Sequence, residues 1–257
     1  MRPNHNHQKK SHGFRKYRAA IQYVGTRYHG WQIQRKGPTI QGVLNEILSR
    51  LAGQEINAVG ASRTDAGVHA LGQVAHFLFP EKDTIPDLRK ALNALLPWDI
   101  RIKLVKPVNQ KFHAQKDAVR KRYTYQIYIG EVLPPFLYKR AHHVPRLKRF
   151  PEMAEAARVI EGKHDFTGFA ASTTTVKNNV RTIYYSRLTQ NGNILTYSVE
   201  ANGFLHHMIR NIVGTLLVIG DGKAEPGFME KILEAKDRNL AGPTAKPHGL
   251  VLKRIWY

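Results

Sequence analysis

The chain contains no cysteine. Disulfides, thiolate nucleophiles, iron–sulfur clusters and thiolate zinc sites are excluded together. Acid is the second shortage. Of 257 residues only 19 are Asp or Glu, against 40 Lys or Arg, and the formal net charge is +21. No acidic residue occurs before Glu46. Metal-dependent hydrolysis calls for clustered carboxylates, and this sequence has none. So large an excess of positive charge on a folded chain points to a polyanionic partner, nucleic acid first. Long apolar runs are also missing: the stretch 212–220 is too short to span a bilayer, and no signal-peptide core follows the N-terminus. Nor is there a glycine-rich phosphate loop. What is present is 42% hydrophobic and 9% aromatic residues, enough to bury a real core, which excludes a mainly disordered chain.

Residues 1–13 form a basic segment without a periodic apolar face, expected to be a disordered tail, either simply solvated or an RNA-touching arm. After it the periodicities predict a strand over 17–24 and a helix over 39–51, where Ile40, Val43, Leu44, Ile47, Leu48 and Leu51 share one face between a Thr39 N-cap and a Gly53 stop. Strands over 56–59 and 73–79, a helix over 86–96 and a strand over 100–105 complete a β-α-β-β-α-β order. The order then repeats. A strand is predicted over 123–129 and a helix over 151–160. A hairpin over 181–201 turns at Asn191-Gly192. A long helix over 204–219, a short one over 227–235 and a closing strand over 250–255 follow. The expected fold class is α+β, with two ferredoxin-like halves, 14–110 and 111–257, forming antiparallel sheets with a basic cleft between them.

The densest chemical signal is Ala61-Ser62-Arg63-Thr64-Asp65-Ala66-Gly67-Val68-His69-Ala70, on a loop between two strands. Small residues and Gly67 allow a ligand to approach the backbone. Asp65, two positions from Arg63, would stay ionised beside a guanidinium and so serve as nucleophile or base. On spacing alone the stronger reading is an Asx-turn residue that caps its own loop. His69, His206 and His207 raise a metal alternative. It is the weaker reading, because adjacent histidines on a helix diverge and no carboxylate–histidine helix motif accompanies them.

Arg63-Thr64-Asp65-Ala66-Gly67-Val68-His69 resembles the signature of tRNA pseudouridine synthases of the TruA type. The resemblance covers nearly the whole chain. It includes Tyr28-His29-Gly30-Trp31-Gln32-Ile33-Gln34, Arg122-Tyr123-Thr124-Tyr125, Asp165-Phe166-Thr167-Gly168-Phe169, the helix motif Phe204-Leu205-His206-His207-Met208-Ile209-Arg210-Asn211-Ile212-Val213-Gly214, and Gly249-Leu250. Ordered matches of this kind are far more specific than any one motif. Two departures stand out: Ser62 replaces a glycine usual before the arginine, and Val24 stands where an aspartate is common.

The resemblance implies a cytoplasmic, homodimeric isomerase that turns uridine into pseudouridine in the anticodon arm of tRNA, at positions thirty-eight to forty, with no cofactor and no metal. It implies Asp65 as the catalytic carboxylate and Arg210 as its partner. It also implies Tyr123 stacked on the target base, Leu250 lining the same pocket, and Arg63 beside phosphate or the flipped nucleotide. Taken without the family, Tyr123 and Leu250 read as strand core and Arg210 as a helix charge in need of a partner. The competing function is a non-catalytic RNA-binding module, since ferredoxin-like sheets also build RNA-recognition domains, but the aromatic RNP1 pattern is absent.

Overall fold

The computed structural model of the chain describes residues 13–81, 85–172, 178–225 and 227–257. The expected tail lies outside the described residues apart from Gly13. Strand β1 (Phe14–Tyr23) alternates so that Ala19, Ile21 and Tyr23 enter the core. Helix α1 (Ile40–Ala52) starts where Thr39 Oγ1 accepts from the Gly42 N–H at 3.1 Å, and it ends at Gly53, whose φ of 74° is a glycine conformation. Strands β2 (Val59–Gly60) and β3 (His69–Pro80), helix α2 (Leu88–Leu95) and strand β4 (Ile100–Pro107) follow. The rest of the chain is β5 (Arg120–Ile129), β6 (His142–Val144), α3 (Phe150–Val159), β7 (Gly162–Asp165), β8 (Val180–Asn191), β9 (Ile194–Ala201), α4 (Met208–Gly220), α5 (Phe228–Ala235) and β10 (Leu250–Trp256). The fold is α+β, with five helices among the described residues and a mixed, largely antiparallel sheet.

The expectation of two separate sheets is corrected. One 10-stranded sheet runs β4-β1-β3-β10-β5-β9-β8-β7, with β2 beside β3 and β6 beside β5. The join is β10. It lies parallel to β3, with Val251 opposite His69 and Leu252 opposite Ala70, and antiparallel to β5, with Leu252 opposite Tyr123 and Leu250 opposite Tyr125. Two open sheet edges would each leave a row of unpaired backbone groups. Inserting the last strand between them satisfies both edges and merges the buried faces into one core cluster.

Other differences have local causes. The strand expected over 56–59 shrinks to Val59–Gly60 because α1 side chains take the place of a strand partner. Ser49 Oγ accepts from Ile56 N–H, Asn45 Oδ1 accepts from Ala58 N–H, and Gln41 donates to the Ala58 carbonyl. The long helix begins at Met208 rather than Phe204, because His207 has a φ of 59° and interrupts the helical backbone. Strands β6 and β7, only three and four residues long, carried no periodic signal.

Candidate active site

The loop carrying Asp65 leaves β2 and enters β3 beside the β3–β10 junction. Its backbone is tied from several sides. The Ala61 N–H donates to the Val74 carbonyl at 2.7 Å, the Trp31 N–H to the Thr64 carbonyl at 3.0 Å, and the Gly67 N–H to the Tyr28 carbonyl at 3.2 Å. Thr64 Oγ1 and the Tyr23 hydroxyl are 2.7 Å apart. Gly30 has a φ of 87°, and a Cβ there would lie 2.5 Å from the Thr64 carbonyl oxygen. The motif at residues 28–34 therefore backs the Asp65 loop and needs glycine where the two backbones touch.

Asp65 is held by an arginine from far away in the chain. Arg210, in the first turn of α4, donates from Nη1 to Asp65 Oδ2 at 2.8 Å. The same guanidinium donates from Nε to the Ala245 carbonyl at 2.8 Å, and the Ala245 N–H returns a bond to the Arg210 carbonyl at 3.0 Å. Side-chain exposure is 13% for Arg210 and 19% for Asp65, so the pair is sheltered but reachable. α4 can carry Arg210 this close to residues 243–245 because Gly214 has no side chain: a Cβ there would sit 1.7 Å from the Pro243 carbonyl oxygen. The guanidinium beside the carboxylate is Arg210, not Arg63. Arg63 is exposed and makes no hydrogen bond or ion pair among the described residues, so the sequence argument that it keeps Asp65 ionised is corrected.

Tyr123 comes from the partner strand of β10 and meets the same loop. Its hydroxyl lies 2.9 Å from Ser62 Oγ, and its ring stands edge-on to Phe204, with centroids 5.3 Å apart. Burial pushes the phenol pKa well up, and the nearby Asp65 charge adds to that. Tyr123 is thus a neutral hydroxyl at neutral pH. Ser62, where a glycine was usual, has no left-handed backbone angle, and its hydroxyl gains a partner. Gln73 holds it further, donating to the Ser62 carbonyl at 2.7 Å and accepting from its N–H at 3.2 Å. Leu250 is buried one alternate step along β10 from the position opposite Tyr123.

The histidines do not sit as expected. His206 and His207 lie in the turn before α4, not on a helix, and their rings are 3.9 Å apart. His206 Nε2 is 3.7 Å from Asp65 Oδ1 and His207 Nε2 is 3.5 Å from Asp65 Oδ2. The divergence argument against shared ligation therefore fails, and the three residues place ligand atoms within 4.8 Å of one another. Arg210 already sets a fixed positive charge on one carboxylate oxygen, which opposes a second cation there. Burial lowers the His207 pKa, with the Asp65 charge acting against it. His69 stands apart: its Nδ1 accepts from the Gly25 N–H at 3.0 Å.

Lys121 was not singled out from the sequence. It donates to the Ala61 carbonyl at 2.7 Å, and burial, with Arg181 nearby, pulls its pKa down to about 8. The signal that would have found it is strand alternation, because a residue two before Tyr123 shares its face. The arrangement as a whole is one oriented carboxylate, a fixed guanidinium and a buried phenol, brought together from the 61–70 loop, α4 and β5. It can attack or deprotonate a bound sugar or base.

A family profile described as tRNA pseudouridine synthase matches residues 19–115 and 156–257. A tRNA pseudouridine synthase A from Thermoanaerobacter sp. (strain X514) is 42% identical over 92% of this chain and 97% of its own. The protein of that name from Ruminiclostridium cellulolyticum is 42% identical over 95% of this chain and 100% of its own. The one from Anoxybacillus flavithermus is 44% identical over 95% and 99%. Among solved structures, one described as a Cbf5-Nop10-Gar1 complex aligns with 78% of this chain and 44% of its own at 15% identity and a TM-score of 0.34, too weak a likeness to argue from.

Proposed function

Because this chain belongs to the TruA-type tRNA pseudouridine synthases, we propose that it isomerises uridine to pseudouridine in the anticodon arm of tRNA, at positions thirty-eight to forty, with Asp65 as the catalytic carboxylate. The observation that carries this reading is the Asp65–Arg210 bond, made between residues 145 positions apart. The reaction breaks the N1–C1′ bond, turns the uracil and joins C5 to C1′, expelling the C5 hydrogen as a proton. No electrons are exchanged with a redox carrier. An ionised carboxylate serves each available opening move: attack at C1′, attack at C6, or removal of the C2′ proton. Arg210 fixes its direction through a planar fork. In this reading the Tyr123 ring stacks on the flipped base, Leu250 walls the pocket, and Arg63 meets phosphate. Stacking supplies about 1–3 kcal/mol toward holding a base out of its helix.

Within the same proposal residues 14–110 and 111–257 form two ferredoxin-like halves. Their strand orders support this: β4-β1-β3-β2 and, leaving out the short β6 and β7, β10-β5-β9-β8 each run fourth, first, third, second. A basic cleft between the halves takes the RNA stem, and two copies of the chain assemble as a homodimer, which a light-scattering mass checks. Incubating the chain with unmodified tRNA transcripts in EDTA and mapping pseudouridine tests the reaction. Binding without product would mean a non-catalytic RNA-binding module, and fragments appearing only on restoring metal would mean a nuclease.

A further inference from the structure

A cavity of about 310 Å³ lies against Ala66 and Gly67, the two residues that follow Asp65. Its other walls include Arg27 and His29 from the segment after β1, Lys139 from the segment before β6, and His248 just before β10. Three stretches distant in sequence converge here, and one buried side chain holds them. His69 is 7% exposed. Its Nδ1 accepts from the Gly25 N–H at 3.0 Å, so its ring proton is on Nε2, which faces the carbonyl oxygens of Lys139 at 2.9 Å and His248 at 3.1 Å. Burial lowers the His69 pKa, which keeps Nδ1 free to accept. The three walls are thus fixed in advance around a space that no side chain fills.

The lining decides the ligand. It offers a guanidinium, an ammonium and two imidazoles, and no carboxylate belongs to it. Arg27 Nε donates to Asp99 Oδ2 at 2.9 Å, the same guanidinium lies 5.3 Å from the Trp98 ring centroid, and His248 bonds to the Ala141 backbone. Lys139 makes no ion pair among the described residues, and its ammonium lies 5.5 Å from the Tyr138 ring centroid. Gly37 packs under the His29 ring, where a Cβ would come 2.5 Å from Cδ2, so that imidazole is held in place. Cationic groups beside flat rings suit a phosphate joined to a planar base.

We propose that this cavity receives the nucleotide adjoining the target uridine, its base against the imidazoles and its phosphate at Arg27 and Lys139. The proposal rests on the reading that a uridine lies at Asp65, because the shared loop then brings the next nucleotide to Ala66 and Gly67. The enzyme would hold two successive nucleotides splayed apart, one on each side of that loop.

The test is a binding cycle on a labelled anticodon-arm hairpin. Each neighbour of the target is made abasic in turn, and affinity is measured for the full chain and for Thr26→Trp, which fills the cavity from an exposed wall position. The expected result is that one abasic neighbour weakens binding to the unsubstituted chain about tenfold, the scale of one lost stacked base, while Thr26→Trp binds intact and abasic hairpins alike. Equal loss in both proteins, or no loss at either neighbour, overturns the proposal. Should Thr26→Trp fail to fold, Lys139→Asn serves, since Asn tolerates the left-handed φ of 56° at that position. An uncharged methylphosphonate at the neighbouring linkage then weakens the unsubstituted chain more than Lys139→Asn, which keeps only Arg27, and equal loss in both overturns the phosphate assignment. Competition by a free nucleoside monophosphate at micromolar concentration would make this a site for a free nucleotide and overturn the proposal equally. None of these readings needs turnover. A chain that passes the cycle but forms no pseudouridine refutes the reaction, not the cavity.

Discussion

Arg210→Lys keeps the charge of the guanidinium and removes its shape. Arg210 makes two directed bonds at once, from Nη1 to Asp65 Oδ2 and from Nε to the Ala245 carbonyl, both 2.8 Å. A lysine offers one nitrogen on a flexible stem and cannot span both acceptors. Losing one hydrogen bond to a charged group costs about 1.5–3 kcal/mol. If that loss falls on the orientation of Asp65 at the transition state, the rate drops about 10- to 150-fold. Affinity for tRNA should stay within about threefold, because it rests on phosphate contacts elsewhere. Melting temperature should fall by about 2–4 °C per kcal/mol lost, as usual for a chain of this size. The assay follows from the chemistry: joining C5 to C1′ expels the C5 hydrogen, so tRNA tritiated at uridine C5 releases tritium to water. Measured with excess enzyme in a single turnover, the release reports the bound step alone. An unchanged single-turnover rate would refute the positioning argument. A loss confined to affinity, with the salt slope reduced by about one, would make Arg210 a phosphate contact instead.

Asp65→Asn should abolish tritium release while tRNA affinity stays within about tenfold, since a single carboxylate supplies no attraction to phosphate; ordinary turnover would end its assignment. Affinity of the unsubstituted chain should fall steeply with salt as phosphate counterions are released, and a dissociation constant indifferent to salt would contradict a basic cleft. Acid should destabilise the fold through two imidazoles, His76 buried and His142 half-buried. His76 Nδ1 accepts from the Ala114 N–H at 3.1 Å, the His142 ring meets the Tyr125 hydroxyl at 2.8 Å, and burial lowers both pKa values from 6.5 to about 4. Between those limits the unfolded chain binds protons that the folded chain does not, so stability is lost as pH falls from about 6.5 to about 4, by roughly 2 kcal/mol for the two at pH 5 once solvent screening is allowed for. Thermal melts at pH 7 and pH 5 check this, with His76→Asn expected to flatten the slope; identical melts would refute it. Gly214→Ala should cost at least about 1–3 kcal/mol by driving α4 from residues 243–245, and because Arg210 is bound there, single-turnover rate should fall with melting temperature. A variant with unchanged melting temperature would show that the contact relaxes freely.

Most of the fold was legible because its elements are amphipathic and conventionally ended. α1 has both its Thr39 cap and its Gly53 stop in the sequence, and the Asn191-Gly192 turn marks the β8–β9 hairpin. The failures occurred where side chains or distant segments replaced local rules. Residues 56–58 look like strand, but polar groups on α1 bind their backbone. Phe204 and Leu205 continue the apolar pattern of α4 but are spent on the core and on Tyr123, and only the left-handed His207 marks the true start. No local signal says that β10 will insert between β3 and β5 and join their sheets, since that depends on strand edges far from residue 250 in the chain.

The site shows the same division between what residue types announce and what only the fold can assemble. Asp65 stood out from its loop because a lone acid among small residues is conspicuous, and Arg210 because a charge in an apolar helix needs a partner. That they partner each other follows from β10. Inserted between β3 and β5, it sets Leu252 opposite Tyr123 and Val251 opposite His69. The loop that ends at His69 is thereby held at the face from which Tyr123 and Lys121 reach Ser62 and Ala61. Arg63, nearest to Asp65 in sequence, was the natural candidate to keep it ionised, yet its side chain is exposed, and the guanidinium that arrives comes from α4, 145 positions along the chain. No single segment carries the whole site: residues 61–70 supply the carboxylate, α4 its fork and β5 the phenol. The strand that closes the sheet is therefore also the element that assembles the chemistry, and a chain truncated before residue 250 should keep most of its helices while the Asp65–Arg210 bond is lost.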